Sequence, residues 1–150
     1  KLSIARAQSL PRRGDYLTEP DLEQFQSFKD VLMRGVVVRH HTTYSISWEK
    51  VLWLEEHTGR LMLSFQKHPM ILIPQSLYLI DIAEVRPSRG TYTFQNETYP
   101  RRTVTENMCL SLIGSERTIC ISFATPRARD LFQNKLQSLL RVVRPEVLTY

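Results

Sequence analysis

From Met108 to Phe123 the chain reads MCLSLIGSERTICISF, with a large apolar residue at every second position on either side of a polar break. Side chains of a strand alternate between faces. A two-residue turn at Ser115-Glu116 pairs Gly114 with Arg117, Leu112 with Ile119, Leu110 with Ile121 and Met108 with Phe123. Met108, Leu110, Leu112, Ile119, Ile121 and Phe123 then share one face, while Cys109, Ser111, Thr118, Cys120 and Ser122 take the other. A slip of one residue destroys this match, so the register is specified. Behind the hairpin, Thr125-Pro126 reads as a helix N-cap and first helical residue. Ala128, Phe132, Leu136, Leu139, Leu140 and Val143 follow at helical spacing, up to a stop at Pro145.

Upstream, residues 1–17 mix single apolar residues with Lys1, Arg6, Arg12 and Arg13, and are broken by Pro11 and Gly14; they read as a basic arm. Thr18-Glu19-Pro20-Asp21 looks like a helix start, its acids complementing the positive end of the helix dipole. Leu22, Phe25, Phe28 and Leu32 supply that helix with an apolar stripe. From Val31 the texture turns to strand: VLMRGVVVR is apolar and β-branched, and HHTTYSIS follows as a polar loop. SWEKVLWLEE places Trp48, Lys50, Leu52 and Leu54 on one face, Val51 and Trp53 on the other. His57-Thr58-Gly59-Arg60 turns the chain into RLMLSF. After the loop QKHP come MILIP and then SLYLIDIAEVRP, the latter one strand stopped by Pro87 and Gly90. Residues 91–104 read as an irregular insertion with Tyr92, Phe94, Tyr99, Arg101 and Arg102. The pattern predicts a mainly β domain over 18–145, followed by a tail at 146–150. Seven antiparallel strands in hairpins make a small bent barrel or orthogonal sandwich, with a short N-terminal helix and a C-terminal helix plugging one end.

Composition narrows the functional classes. Hydrophobic residues at 42% and charged ones at 23% are those of an ordinary globular domain. No apolar run approaches the roughly 18 residues of a membrane-spanning helix, so membrane contact is expected to be peripheral. Cys109 and Cys120 make no disulfide framework; one diagonal step apart in the hairpin, they read as free thiols of a reducing compartment. Asn96-Glu97-Thr98 matches a glycosylation acceptor, a triplet that arises by chance and that a cytosolic protein leaves unmodified. The net charge of +5 favours anionic partners: lipid phosphates, nucleic acid or acidic protein surfaces. Asp15, Glu19, Asp21 and Glu23 make the segment after the basic arm acidic. A chain that begins on Lys1 reads as trimmed or processed, and a lipid anchor upstream of it is invisible here. There is no G-x-S-x-G elbow, phosphate-cradling glycine loop, H-E-x-x-H or C-x-x-C pair, and the histidines and cysteines lack metal-ligand spacing. Neither an enzyme, nor a metal site, nor a cofactor is expected. The aromatics are not interleaved with a basic stripe, so nucleic acid is not an expected partner.

Several segments resemble a pleckstrin homology domain, of the type at the front of phosphoinositide-specific phospholipases C. Ile80-Asp81-Ile82-Ala83-Glu84-Val85-Arg86 is similar to that family's I-x-D-I-x-E-V-R strand. Cys109-Leu110-Ser111-Leu112 is similar to its C-F-S-I strand, and Arg117-Thr118-Ile119 to its R-T-L strand. The passage from Pro20-Asp21-Leu22 to Met33-Arg34-Gly35 is also similar, and the likeness spans about residues 18–144. Phe132 stands where the family's helix has tryptophan and is expected to fill the same plug. With no phospholipase catalytic barrel or calcium-binding helices in this sequence, a stand-alone or excised domain is expected. In size and layout it resembles the acylated pleckstrin-homology proteins of apicomplexan parasites, which implies phosphatidic acid sensing on a secretory organelle.

The resemblance implies a head-group site at the open barrel end, beneath the loop joining the first two strands. Gly35-x-Val37-x-Arg39 supplies Arg39 as the first-strand cation; moving the alignment by one supplies His40 instead. Lys50 takes the inner basic position of the second strand, while its partner position holds Trp48. That departure removes one charge-assisted phosphate contact and favours the single phosphomonoester of phosphatidic acid over a polyphosphorylated inositol. Arg39 and Lys50 are expected to converge on one phosphate, the alternative being two solvated strand-end charges. Arg34, Lys67 in the loop Lys67-His68-Pro69-Met70-Ile71, and the basic arm add attraction. His40 and His41 read as surface imidazoles or, more sharply, as head-group contacts tuned by their ordinary pKa near ~6.5. In the loop between them and Trp48, Tyr44 and Ile46 are candidates for membrane insertion; the alternative packs Ile46 on Trp48. Arg86, Arg89, Arg101 and Arg102 form either a solvated face or a second basic patch. Arg127, Arg129, Lys135, Arg141 and Arg144 are expected on the outward side of the last helix.

The leading expectation is a monomeric peripheral module that recognises an anionic phospholipid, phosphatidic acid before phosphoinositides. It would sit on the cytosolic face of a secretory organelle or the plasma membrane and couple lipid signalling to secretion. The alternative is a protein-interaction domain holding a peptide strand at a sheet edge, with an exposed Trp53 among its supports.

Overall fold

The computed structural model describes residues 27–65 and 75–143. The basic arm, the helix start at Thr18 with Leu22 and Phe25, Lys67 with its loop, the MILIP segment and the chain from Arg144 onward lie outside the described residues.

Ser27 caps helix α1 (Phe28–Arg34) by accepting the Asp30 N–H on its hydroxyl at 3.5 Å, and Gly35 ends it at φ 110°. Phe28, Val31 and Leu32 face inward at helical spacing. Val31–Arg34, expected as strand, are therefore helical. The stripe shared with Phe28 prevails over the β preference of one valine, and extended structure starts only past Gly35.

Seven strands follow: β1 (Val36–His41), β2 (Trp48–Glu55), β3 (Arg60–Ser64), β4 (Gln75–Tyr78), β5 (Ile82–Pro87), β6 (Cys109–Gly114) and β7 (Thr118–Ser122). They form one antiparallel sheet in the order β4-β3-β2-β1-β7-β6-β5. The number is the expected one, but SLYLIDIAEVRP is cut in two. A 3-10 turn at Leu79–Asp81, pinned by the Leu79 N–H to the Gly59 carbonyl at 2.8 Å, carries the chain between the two sheet edges. β4 then pairs with β3 and β5 with β6. The β6–β7 hairpin has the expected register, with Leu110 opposite Ile121, Leu112 opposite Ile119, and the Gly114 N–H on the Arg117 carbonyl at 2.9 Å.

The sheet curls so that residues of all seven strands meet in one core with α1 and the C-terminal helix α3 (Pro126–Val143). Thr125 caps α3 through the Ala128 N–H at 3.1 Å. Phe132 is the plug, fully enclosed between the rings of Phe28 and Phe123 at 5.3 and 5.0 Å.

The outer face of the sheet is partly covered as well. Residues 91–104 contain a short helix, α2 (Tyr92–Gln95), and bury Phe94 and Val104 against Cys109 and Cys120. This segment is a lid on the β6–β7 face rather than an excursion. On the same side of β2 and β3, Val51, Trp53 and Met62 form their own cluster. Trp53 is buried and donates its indole N–H to Ser64 Oγ at 3.2 Å, so the expected exposed tryptophan is not there.

Candidate functional site at the β1–β2 end

Cross-strand register decides which side chains can meet at the open end. Lys50 stands opposite Val38 and His40 opposite Trp48, so all four share the core-facing side, at its rim. Arg39 stands opposite Glu49 and faces outward, where its Nη1 donates to the Ser47 carbonyl at 2.9 Å. The expected convergence of Arg39 and Lys50 on one phosphate is thus not formed: adjacent register positions put the two on opposite faces. Arg34 is further away still. It ends α1 before β1 begins, whereas the rim lies past the other end of this six-residue strand, about 20 Å away at the usual rise.

Lys50 and His40 are brought together. The ammonium donates to His40 Nδ1 at 3.0 Å and lies 4.9 Å from the centre of the Phe65 ring. Trp48 stacks edge-on to Phe65 at 6.5 Å. Trp48 and Phe65 are 51% and 55% exposed, an aromatic pair beside a cation. No carboxylate pairs with Lys50 among the described residues. Burial pushes the Lys50 pKa down, and burial, reinforced by the charges of Lys50 and His41, holds His40 neutral down to about 3.

The loop after β1 is pinned by its own polar atoms. Thr42 and Ser45 share a hydroxyl contact at 2.8 Å, and the Thr43 carbonyl accepts both the Thr98 N–H at 3.2 Å and its hydroxyl at 2.6 Å. Pinning these leaves Tyr44 at 74% and Ile46 at 41% exposure. Ile46 is therefore outside the core.

His40 and His41, expected at the surface or on a head group, are both buried. The reason is the lid, which comes from far along the chain. His41 Nδ1 meets Glu97 Oε2 at 3.0 Å, and His41 Nε2 meets Ser122 Oγ at 2.7 Å. Arg89 donates to Glu97 Oε1 at 2.7 Å and to the Val104 carbonyl at 3.2 Å. Serine, histidine and carboxylate are connected as in a hydrolase relay. All three are sealed from solvent, so no scissile bond can reach the hydroxyl; the array clamps the lid to β1 and β7. Nothing local in the sequence marks Glu97 for this role. Arg89 is thus partly buried and tied to the lid, Arg86 is paired with Glu84, and Arg101 and Arg102 stay exposed. Arg129 also departs from expectation, donating to the Cys109 carbonyl at 3.1 Å instead of facing outward.

Burial lowers the His41 pKa too, against the pull of Glu97. Charging of either imidazole near pH 6, the basis for a pH-tuned head-group contact, is therefore opposed by the fold. The linkage runs the other way. Below the ordinary histidine pKa of ~6.5 the unfolded chain takes up protons that the folded chain refuses, so stability falls with pH. The melting temperature is expected to drop between pH 7 and pH 5, and His40→Gln, which keeps an acceptor for Lys50, to flatten that slope. An unchanged slope would mean that His40 is not the group responsible.

No family model matches the chain, and no curated protein matches it. Among solved structures it is similar to Inner Membrane Complex Sub-compartment Protein 1 from Toxoplasma gondii. The TM-score is 0.58 at 18% identity, over 89% of this chain and 98% of that one. Sub-compartment Protein 3 from the same organism gives 0.53 at 14% identity, over 87% and 94%. The PH domain from TgAPH gives 0.54 at 13% identity, over 86% and 96%. At such identities the likeness is one of architecture, and the chain has a pleckstrin-homology-like fold.

Proposed function

We propose that the chain is a peripheral module that docks its β1–β2 end on an anionic phospholipid surface, phosphatidic acid before phosphoinositides. One observation carries this reading. The Lys50 ammonium stands at the rim with a neutral imidazole behind it and no carboxylate partner among the described residues, and exposed Tyr44, Ile46, Trp48 and Phe65 accompany it. A cation set among exposed apolar groups complements a bilayer interface, with phosphate above and acyl chains below. One inward-facing cation, with Trp48 in place of a second, suits one phosphomonoester. Arg39 on the outer rim, together with Lys67 and the basic arm, would add long-range attraction of about 1 kcal/mol per cation near the surface. A membrane address is in keeping with two neighbours whose names assign them to an inner membrane complex. The cytosolic face of a secretory organelle or the plasma membrane, and a link to secretion, belong to the same proposal.

Co-sedimentation with vesicles tests it. Lys50→Glu is expected to weaken binding to phosphatidic acid vesicles about ten- to a hundredfold, since a hydrogen bond to a charged group is worth roughly 1.5–3 kcal/mol. Tyr44→Ser with Ile46→Ser should also weaken binding at an unchanged melting temperature, because neither side chain is in the core. Binding of the parent should fall as salt rises. The exposed Trp48–Phe65 pair favours a second reading, since aromatics anchor protein interfaces. A parent protein that ignores every anionic vesicle would hand the rim to a protein partner.

A further inference from the structure

The lid segment passes directly beside the β1–β2 loop. Thr98 is bonded twice to the Thr43 carbonyl, which places Tyr99 next in the chain to one anchor and Tyr44 next to the other. The far end of the segment is equally fixed. Val104 is buried against Phe94, Cys109 and Cys120, its N–H bonds the Arg101 carbonyl at 3.2 Å, and its carbonyl accepts from Arg89. Between these two anchors every residue from Tyr99 to Thr103 is exposed. Tyr99 is 53% exposed, and no acidic side chain pairs with Arg101 or Arg102 among the described residues.

We infer that residues 99–102 are a second membrane-docking element, which lies with Tyr44 and Ile46 along one edge and engages the head-group layer of an anionic bilayer. This rests on the lipid-docking reading above and extends its footprint beyond the β1–β2 loop. The chemistry fits that one partner. A tyrosine with its hydroxyl outward suits the head-group level of a membrane, and two unpaired guanidiniums attract and bridge lipid phosphates. A basic protein surface would be repelled by the arginine pair, and an apolar groove would leave it desolvated and unpaired. The anchors matter as much as the exposed groups. A segment fixed at both ends pays little ordering entropy on docking, and the Thr98–Thr43 bonds tie together the two stretches of chain that carry Tyr99 and Tyr44.

The test compares four proteins on phosphatidylcholine vesicles with and without phosphatidic acid: the parent, Tyr44→Ser/Ile46→Ser, Arg101→Ser/Arg102→Ser and Tyr99→Ser. The arginine variant is expected to lose about thirtyfold in partitioning onto the acidic vesicles, roughly fivefold for each arginine, with its melting temperature unchanged. Tyr99→Ser should cost a further few-fold on the same vesicles. Parental binding by the arginine and Tyr99 variants, alongside a weakened Tyr44/Ile46 variant, would overturn the second element and leave the first intact. No binding by the parent to either vesicle would overturn both readings together. A loss by the arginine variant that is equal on neutral vesicles would also overturn the inference, because the lipid phosphate would then play no part.

Discussion

Replacing Glu97 by alanine is expected to cost about 3–5 kcal/mol of stability, the usual penalty for removing one partner from a buried ionic group. The carboxylate side chain is 1% exposed and accepts from Arg89 on one oxygen and meets His41 on the other. Without it the Arg89 guanidinium keeps the Phe94 and Val104 carbonyls but loses its counter-charge. His41 Nδ1 loses its one hydrogen-bond partner in the clamp. The lid 91–104 is then held by Phe94 and Val104, the Thr91–Ser111 hydroxyl contact and the two Thr98 bonds to the Thr43 carbonyl. Equilibrium urea unfolding measures the loss. Glu97→Gln, which keeps an acceptor but drops the charge, should fall between parent and alanine variant. Parental stability for both would show that the lid does not depend on the Glu97 carboxylate.

Phe132→Ala is expected to cost a similar ~3–5 kcal/mol, by deleting an aromatic ring from a closed core. At about 2–4 °C per kcal/mol for a chain of this size, the melting temperature should fall on the order of 10 °C. The ring fills the space where α1, α3 and the end of β7 converge, in contact with Phe28 and Phe123. Phe132→Leu should recover most of the loss, and Phe132→Trp should be destabilising by roughly 1–3 kcal/mol through overpacking. A tryptophan variant as stable as the parent would mean that spare room exists beside the plug.

The parts of this fold that were legible in the sequence are those whose partners lie close by. The β6–β7 hairpin announces itself because alternation on both sides of one tight turn admits a single register, and α3 because a capped apolar stripe needs no distant information. Arg39 and Lys50 mark the limit of that logic. Their loop runs from Thr42 to Ser47, and each single-residue change in how it closes swaps the face of every side chain in the pairing. Residue types alone therefore could not decide whether the two cations meet. His40 and His41 look like surface residues for a related reason. The core that closes over one and the lid that closes over the other come from segments remote in the chain, and hydropathy around residue 40 holds no trace of them. The division of SLYLIDIAEVRP was hidden because a continuous apolar run has the same texture whether it stays in one strand or changes edge.

The order of the strands gives the sheet two histories. β1 through β4 are a meander of near neighbours, and β5 through β7 are a second unit, so among the described residues the two are joined by a single long-range ladder, β1 on β7, of three residue pairs. Each half can assemble from local contacts, but the seam must bring Arg39 and Ser122 together across most of the domain, the kind of closure that sets a slow folding rate. The buried His41 sits on that seam and is tied at once to Ser122 and to the lid. The clamp is therefore a latch between two folding units. It can close only after both halves have formed, and opening it exposes the one junction where the domain would divide.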